Sequence, residues 1–323
     1  MTRTPLPDGR AIDVLSLAGG GLRAQVLTLG AAVHDLRMEG VDHPLVLGCA
    51  DPADRLGRGL YMGVIVGRCA NRIGGAAFTL DGRTHRTDAN FRARHTLHGG
   101  SQGTHWQIWT VEDTGPDRAT LSLHLPDGAM GFPGALAIRA TIALQDGALD
   151  FDIQAETDAP TPCSLSHHGY FNLDGSDDVR DHGLRIGADR YLPVNDDLIP
   201  LGHAAPVAGT RFDFRRSRPI GSGGYDHNLC LSEGPVAPRV VAELTGRTGL
   251  RLQVATDQPG LQLYDGAHLE GVAGLDGRRY GPFAGVALEA QAWPDAVNRP
   301  AFPAAILRPG AIYRHRTTYR FSR

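Results

Sequence analysis

The sequence predicts an all-β fold of packed antiparallel sheets, and three observations carry that expectation. Strict apolar/polar alternation recurs in several separate runs. The 42 glycines and 21 prolines are spread along the chain, as tight turns between short strands require. Amphipathic periodicity of helical length is hard to find anywhere. At 323 residues the chain is long, but sandwiches and barrels of this size run as one unit. With no linker, repeat or low-complexity segment, one domain over residues 1–323 is expected.

From the N-terminus, Val26 and Leu27 precede Gly30, a residue that bends or bulges a strand. Val41 to Arg55 reads as a short apolar strand followed by a polar loop. Val64 to Thr87 alternates apolar strands with Gly74-Gly75 and Asp81-Gly82 turns. A further strand is read at Gln107 to Asp113, with Trp109 and Val111 on one face. The middle of the chain is clearest. Ala119, Leu121, Leu123 and Leu125 share a face, as do Leu136, Ile138, Ala140, Ile142 and Leu144. Asp146-Gly147 then turns the chain into a run where Leu149, Phe151, Ile153 and Ala155 face inward, and alternation on both sides of Asp-Gly predicts a hairpin. Near the C-terminus Tyr313, His315, Thr317, Tyr319 and Phe321 repeat the pattern.

Composition excludes several classes of function. The net charge of −3, from 32 basic and 35 acidic residues, points to neither nucleic acid nor a membrane surface. Cys49, Cys69, Cys163 and Cys230 lie far apart without CxxC spacing, so reduced core residues are expected rather than a zinc or redox pair. The first residues contain no apolar signal core, and a soluble cytoplasmic protein is expected.

Chemistry is expected where titratable residues interrupt the apolar framework. In Gly285 to Pro300, Val286 and Leu288 alternate with Ala287 and Glu289, so Glu289 points away from the Val/Leu face of a buried strand. A buried carboxylate is costly unless it is paired or used, and structural and catalytic readings weigh evenly on this stretch alone. The following Pro294-Asp295 ends the strand, and its loop is expected to wall the site. Four other stretches qualify: Arg68 to Ile73, Leu97 to Gly100, Ser166 to Leu173 and Tyr225 to Leu231. His98 precedes two glycines that permit close backbone approach by a ligand. His168 precedes a glycine and two aromatics, so its ring is expected over an aromatic floor.

Taken in order, GRCANRI, LHGG, HGYFNL, GYDHNL and LEAQAWPDAVN resemble the motifs of the aldose 1-epimerases of the galactose mutarotase type. Supporting stretches span nearly the whole chain, from about Leu22 to Phe321. The resemblance implies a β-supersandwich. It also implies Glu289 as catalytic base, His168 as catalytic acid, His98 as a second active-site histidine near the ring oxygen, and Arg72 and Asp226 as holders of sugar hydroxyls. Asn71 and Gln291 lie beside these motifs as further substrate contacts. No metal or organic cofactor is implied. The partner is a monosaccharide, a hexose or pentose aldose, and the protein is expected as a monomer or homodimer.

The chemistry so implied is anomer interconversion by ring opening: a base takes the anomeric hydroxyl proton, an acid protonates the ring oxygen, and closure reverses both transfers. Glu289 is expected with a raised pKa, and His168 substantially protonated. The chain departs from the family pattern at Gly169 (usually Ser), at Ala292, Trp293 and Arg299, at Asp265, and in the segment holding Asn90 and Arg94. These are read as changes in the pocket wall, with Gly169 leaving room beside His168. Other readings remain: a catalytically silent sugar-binding module, a hexose-6-phosphate mutarotase, or a glycoside hydrolase with Asp226 as second carboxylate. His167 and His168 point to opposite sides of an extended strand, and the motif favours His168 for the pocket.

Overall fold

The computed structural model describes residues 2–323 and is built from antiparallel sheets. Nine strands form the largest sheet, in spatial order Thr110–Thr114, Arg118–Leu125, Leu136–Gln145, Ala148–Thr157, Tyr313–Ser322, Arg251–Thr256, Arg239–Thr245, Gly183–Ile186 and Arg218–Pro219. A six-stranded sheet runs Tyr170–Phe171, Val286–Gln291, Gly260–Tyr264, Asp226–Cys230, Arg190–Tyr191 and Ala205–Pro206. A four-stranded sheet spans Thr2–Pro5 to Ala32–Met38. Among the described residues the helical elements are 3-10 turns of three to five residues. None is long and apolar enough to cross a membrane.

The alternating runs form the strands expected of them. Leu136–Gln145 and Ala148–Thr157 pair through Gln145 and Ala148. The two loop residues both take positive φ, 49° at Asp146 and 72° at Gly147, which matches the twist of a two-residue hairpin. Leu136, Ile138, Ala140, Ile142, Phe151 and Ile153 share one core with Phe171, Val286 and Leu288 of the six-stranded sheet. Phe171 meets Tyr319 at 4.8 Å between ring centroids. The Tyr319 hydroxyl donates to the Leu288 carbonyl at 3.1 Å, fixing one sheet on the other.

Two expected elements differ. Leu45 to Cys49 does not form a strand, because its amides pair with different partners in turn: Leu45 with the Leu36 carbonyl, then Leu47 with that of Tyr170. The polar loop after it holds a 3-10 turn, Pro52–Leu56, capped by the Asp51 side chain. Trp109 lies just outside Thr110–Thr114, an edge strand with a register shift between Val111 and Asp113. Trp109 is buried and Val111 half-buried against the same core, so the two share an apolar face as expected even though Trp109 lies outside the paired strand.

Candidate active site

The strand Val286–Gln291 lies between two neighbours and is buried on both faces. Val286, Leu288 and Ala290 enter the core shared with the large sheet. Period-two alternation turns Ala287, Glu289 and Gln291 to the other side, where a cavity of about 280 Å³ opens. Glu289, 2% exposed, reaches that cavity along with Asn71, Arg72, His98, His168 and Asp226. Six of the seven site residues expected from the sequence are therefore together. The seventh, Gln291, is fully buried and lies outside the cavity wall.

His168 Nε2 stands 3.6 Å from Glu289 Oε1. The backbone of His168 is held on both sides: its N–H donates to the Val64 carbonyl at 2.8 Å and its carbonyl accepts from Gly63 at 2.9 Å. Tyr61 stacks on the His168 ring, with centroids 5.8 Å apart, and Tyr170 lies at 5.0 Å from it on another side. Tyr170 is the aromatic wall foreseen after His168. His167 points the other way, into the core, against Phe151 at 4.3 Å and Tyr319 at 5.4 Å.

His98 and Asn71 clasp each other. The His98 N–H donates to the Asn71 carbonyl at 2.9 Å, and the Asn71 N–H donates to His98 Nδ1 at 3.1 Å. With Nδ1 accepting, the neutral ring carries its proton on Nε2 and serves as a donor. Both residues take positive φ, 61° at Asn71 and 51° at His98, a costly conformation for non-glycine residues that clusters at functional sites. The glycine after His98 is needed for the fold rather than for a ligand: a Cβ on Gly99 would lie 2.1 Å from the Gly67 carbonyl oxygen.

Arg72 and Asp226 pair at 2.8 Å, and Gln262 Nε2 donates to the other Asp226 oxygen at 2.6 Å. Burial alone would raise the Asp226 pKa; the Arg72 charge and these hydrogen bonds outweigh it, and the carboxyl sits below its usual range. Arg72 also lies over Phe91, 4.7 Å from the ring centroid. Glu289 has no such support. Burial, with the Asp226 charge in second place, drives its pKa well above the ordinary value against the opposing pull of Arg72. Its Oε2 has no protein partner.

The expectation that His168 stays substantially protonated is not met. Burial pushes its pKa down to about 4, because water is excluded from a ring only 4% exposed and Glu289 favours its own neutral form. The pair therefore holds one proton, resting on the carboxyl.

Several expected wall residues lie elsewhere. Trp293 packs with Leu192 and Phe302 in a satellite core and donates to the Pro259 carbonyl at 3.0 Å. The loop after the strand braces the site instead of walling it. The Asp295 N–H donates to the Arg72 carbonyl at 3.0 Å, its carboxylate accepts from Gly74 at 2.9 Å, and Arg299 pairs with it at 2.8 Å. Asp265 accepts from the Tyr225 N–H at 2.9 Å and so supports the strand bearing Asp226. Asn90 holds Leu97 at both its N–H and its carbonyl. Gly169 leaves no room beside His168: a Cβ there would come within 2.4 Å of His167 Cε1, on the core side. The segment expected as a rim does reach the cavity, through Phe91 and Arg92, whereas Tyr61, Leu198, Tyr264 and His268 are walls not named from the sequence. Tyr264 and Gln262 lie in GLQLY and Leu198 in RYLPVNDDLIPL, two of the stretches that support the family resemblance, and so carried a signal; Tyr61 carried none.

His98, His168 and Glu289 present atoms within 4.8 Å of one another, the geometry of a possible metal site. The donor set does not suit a cation, because the Asn71 N–H occupies His98 Nδ1 and leaves the proton on Nε2. The cluster is arranged to donate to and accept from hydroxyl groups.

The aldose 1-epimerase family model matches residues 13–320. Galactose mutarotase of Rattus norvegicus is 38% identical over 100% of this chain and 98% of its own length. Aldose 1-epimerase of Escherichia coli K12 is 34% identical over 98% of this chain and 96% of its own. Among solved structures, an aldose epimerase homologue from C. elegans superimposes with a TM-score of 0.90 at 29% identity, covering 96% of this chain and 99% of that one. Galactose 1-epimerase from Lactobacillus acidophilus gives 0.87 at 27% identity, over 99% and 97%. The chain belongs to the aldose 1-epimerase family.

Proposed function

We propose that the cavity interconverts the α and β anomers of a free hexose or pentose aldose, with Glu289 as base and His168 as acid. The observation that carries this reading is the 3.6 Å separation of Glu289 Oε1 and His168 Nε2. The anomeric hydroxyl and the ring oxygen sit on one carbon, so the groups that exchange protons with them must be close neighbours. Glu289 takes the hydroxyl proton as His168 gives one to the ring oxygen, and the C1–O5 bond opens to the aldehyde. Rotation about C1–C2 presents the other carbonyl face, and closure returns both protons. His98, donating through Nε2, stands beside His168 with ring centroids 5.3 Å apart and steadies the ring oxygen. Arg72, Asp226 and Asn71 hold the remaining hydroxyls. Gln291, outside the cavity wall, is too deep to touch substrate.

Hydrolysis is disfavoured because both oxygens of the second carboxylate, Asp226, are engaged, one by Arg72 and the other by Gln262, which weakens it as the nucleophile or water-activating base that hydrolysis needs beside an acid. A sugar phosphate is disfavoured because Arg72 and the rim arginine Arg92 are each paired, with Asp226 and Asp197 at 2.8 Å. The four unpaired cysteines suit a reducing, cytoplasmic location. The test is polarimetry on freshly dissolved α-D-glucose, α-D-galactose and α-D-xylose. Faster approach to the unchanged equilibrium rotation is expected on at least one of them. Binding of aldoses without acceleration would refute the reading and leave a silent sugar-binding module.

A further inference from the structure

Beneath the cavity floor lies a second polar layer. Tyr170 pairs with Ala287 and Phe171 with Val286 in antiparallel register. Continued by two residues, that register sets His168 opposite Glu289, where their side chains meet. Continued by two more, it sets Ser166 opposite Gln291, and Ser164 Oγ beyond them accepts from the Ala292 N–H at 3.1 Å. On the other side of Gln291 the strand pairs with Gly260. The Asn228 amide lies over Gly260, where a Cβ would be 2.4 Å from Asn228 Oδ1. Ser166, Gln291 and Asn228 thus lie side by side under Glu289.

All three side chains are almost fully buried, at 0%, 0% and 2% exposure. Ser166 Oγ, both polar atoms of Gln291, Asn228 Oδ1, Gln262 Oε1 and Glu289 Oε2 have no protein hydrogen-bond partner. Buried polar atoms are rarely left unsatisfied, and several together without protein partners mark a site for internal water. We propose that Ser166, Gln291 and Asn228 enclose a buried water site under the base, and that this water, held by Gln291 and Ser166, donates a hydrogen bond to Glu289 Oε2. Gln291 and Ser166 are then positioning residues that act through Glu289.

The proposal rests on the epimerase reading and explains how so deeply buried a carboxylate serves as a base. Facing Glu289 are His168 and Tyr170 from one side, Arg72 and His98 from another, Asp226 and Tyr264 across the sheet, and Tyr319 from behind. Of these only Arg72 and the acid His168 favour its charge, and Arg72 is already paired. The water below supplies the missing support. The one-proton pair is active from the second protonation of His168 up to the ionisation of neutral Glu289. Loss of a donor to Oε2 makes that ionisation harder.

The test uses Gln291→Leu and Ser166→Ala, with kcat/KM measured against pH on the preferred aldose. One hydrogen bond to a charged acceptor corresponds to about one pK unit. The alkaline limb should move up by about one unit and the plateau fall about tenfold, with KM nearly unchanged because the layer lies outside the cavity. A lower plateau with a fixed alkaline limb in both variants would overturn the proposal. Ser166→Ala, the smaller change, keeps the test open should Gln291→Leu fail to fold. A high-resolution crystal structure of the wild type reads the site without any activity. Density for water bonded to both Gln291 and Glu289 Oε2 is expected; a dry layer, or a direct Gln291 to Glu289 bond, would refute the water site even where the epimerase reading stands.

Discussion

Glu289→Gln should remove activity and stabilise the protein, and the second effect is the sharper test. The carboxyl is 2% exposed, and its pKa is raised chiefly by burial. A folded-state pKa above the unfolded one means that the native state binds more protons. Stability contributed by the neutral carboxyl is then fully present below the unfolded value and lost as pH rises toward the folded one. Glutamine mimics the neutral carboxyl at every pH. The variant should match the wild type near pH 4.5 and gain on it by up to about 1.4 kcal/mol per pH unit above that, until the folded pKa is reached. Activity should fall about 10²–10⁴-fold, the usual worth of positioned proton transfer, or about 3–5 kcal/mol of barrier. Urea melts at pH 5 and pH 8, with polarimetry on the same samples, measure both. A variant that gains nothing on the wild type between pH 5 and pH 8 would mean that Glu289 is not strained by burial; retained activity would remove it as the base.

His168→Asn should abolish activity with little change in melting, whereas His167→Asn should lower the melting temperature through its lost stacking on Phe151 and spare most of kcat; the reverse pattern would exchange their roles. Gly169→Ser should destabilise by about 1–3 kcal/mol of overpacking against the His167 ring, and adding His167→Asn should recover much of the loss in a thermal melt. Arg72→Met should leave Asp226 without its cation and raise KM at least tenfold with a smaller change in kcat, read by polarimetry over sugar concentration. His34, His105, His167, His168, His227 and His315 all have pKa values pushed down by burial to about 4 or lower, so each contributes stability that is complete above the unfolded value and lost as pH falls. At pH 4.5 that loss is a few kcal/mol per group, and several such groups together would exhaust the stability of an average domain. Circular dichroism should therefore show cooperative acid unfolding complete above about pH 4, and a native spectrum at pH 4 would refute the buried-neutral assignment.

The strands of the large sheet were legible because each buries one face, and alternation records that directly in Leu136 to Leu144 and Leu149 to Ala155. Leu45 to Cys49 was misread because its apolar residues are buried without a ladder, a distinction that hydropathy does not carry. Site residues inside motifs were found together. Tyr61 was not, because it reaches the cavity from a loop whose position depends on contacts distant in sequence, and the role of Leu198, though in a supporting stretch, depends on the same kind of contacts. Gln291 was misplaced for a related reason. Alternation correctly put it on the Glu289 side of the strand, but depth along that face is set by the neighbouring strands, and their register is a tertiary property. Gly169 was read against the wrong neighbour, since in an extended segment residue 169 shares its side with His167 and not with His168.

The reversed pKa values of the acid and base bear on how the cavity lowers the barrier. Before ring opening the reacting pair is an anionic Glu289 and a cationic His168; after it, Glu289 is protonated, His168 is neutral, and the sugar is an aldehyde. Burial disfavours both charges of the first arrangement and favours the second. The low-dielectric site therefore pulls the proton transfers toward the open chain, which is the unstable species of the reaction in water. The same bias opposes ring closure unless the charged pair retains some support. That support has three sources: the hydroxyl and ring oxygen of the closed sugar, His98 at the ring oxygen, and the water inferred beneath Glu289. A cavity with more support would hold the ion pair too firmly to open the ring, and one with less would release the aldehyde before it could close on its other face.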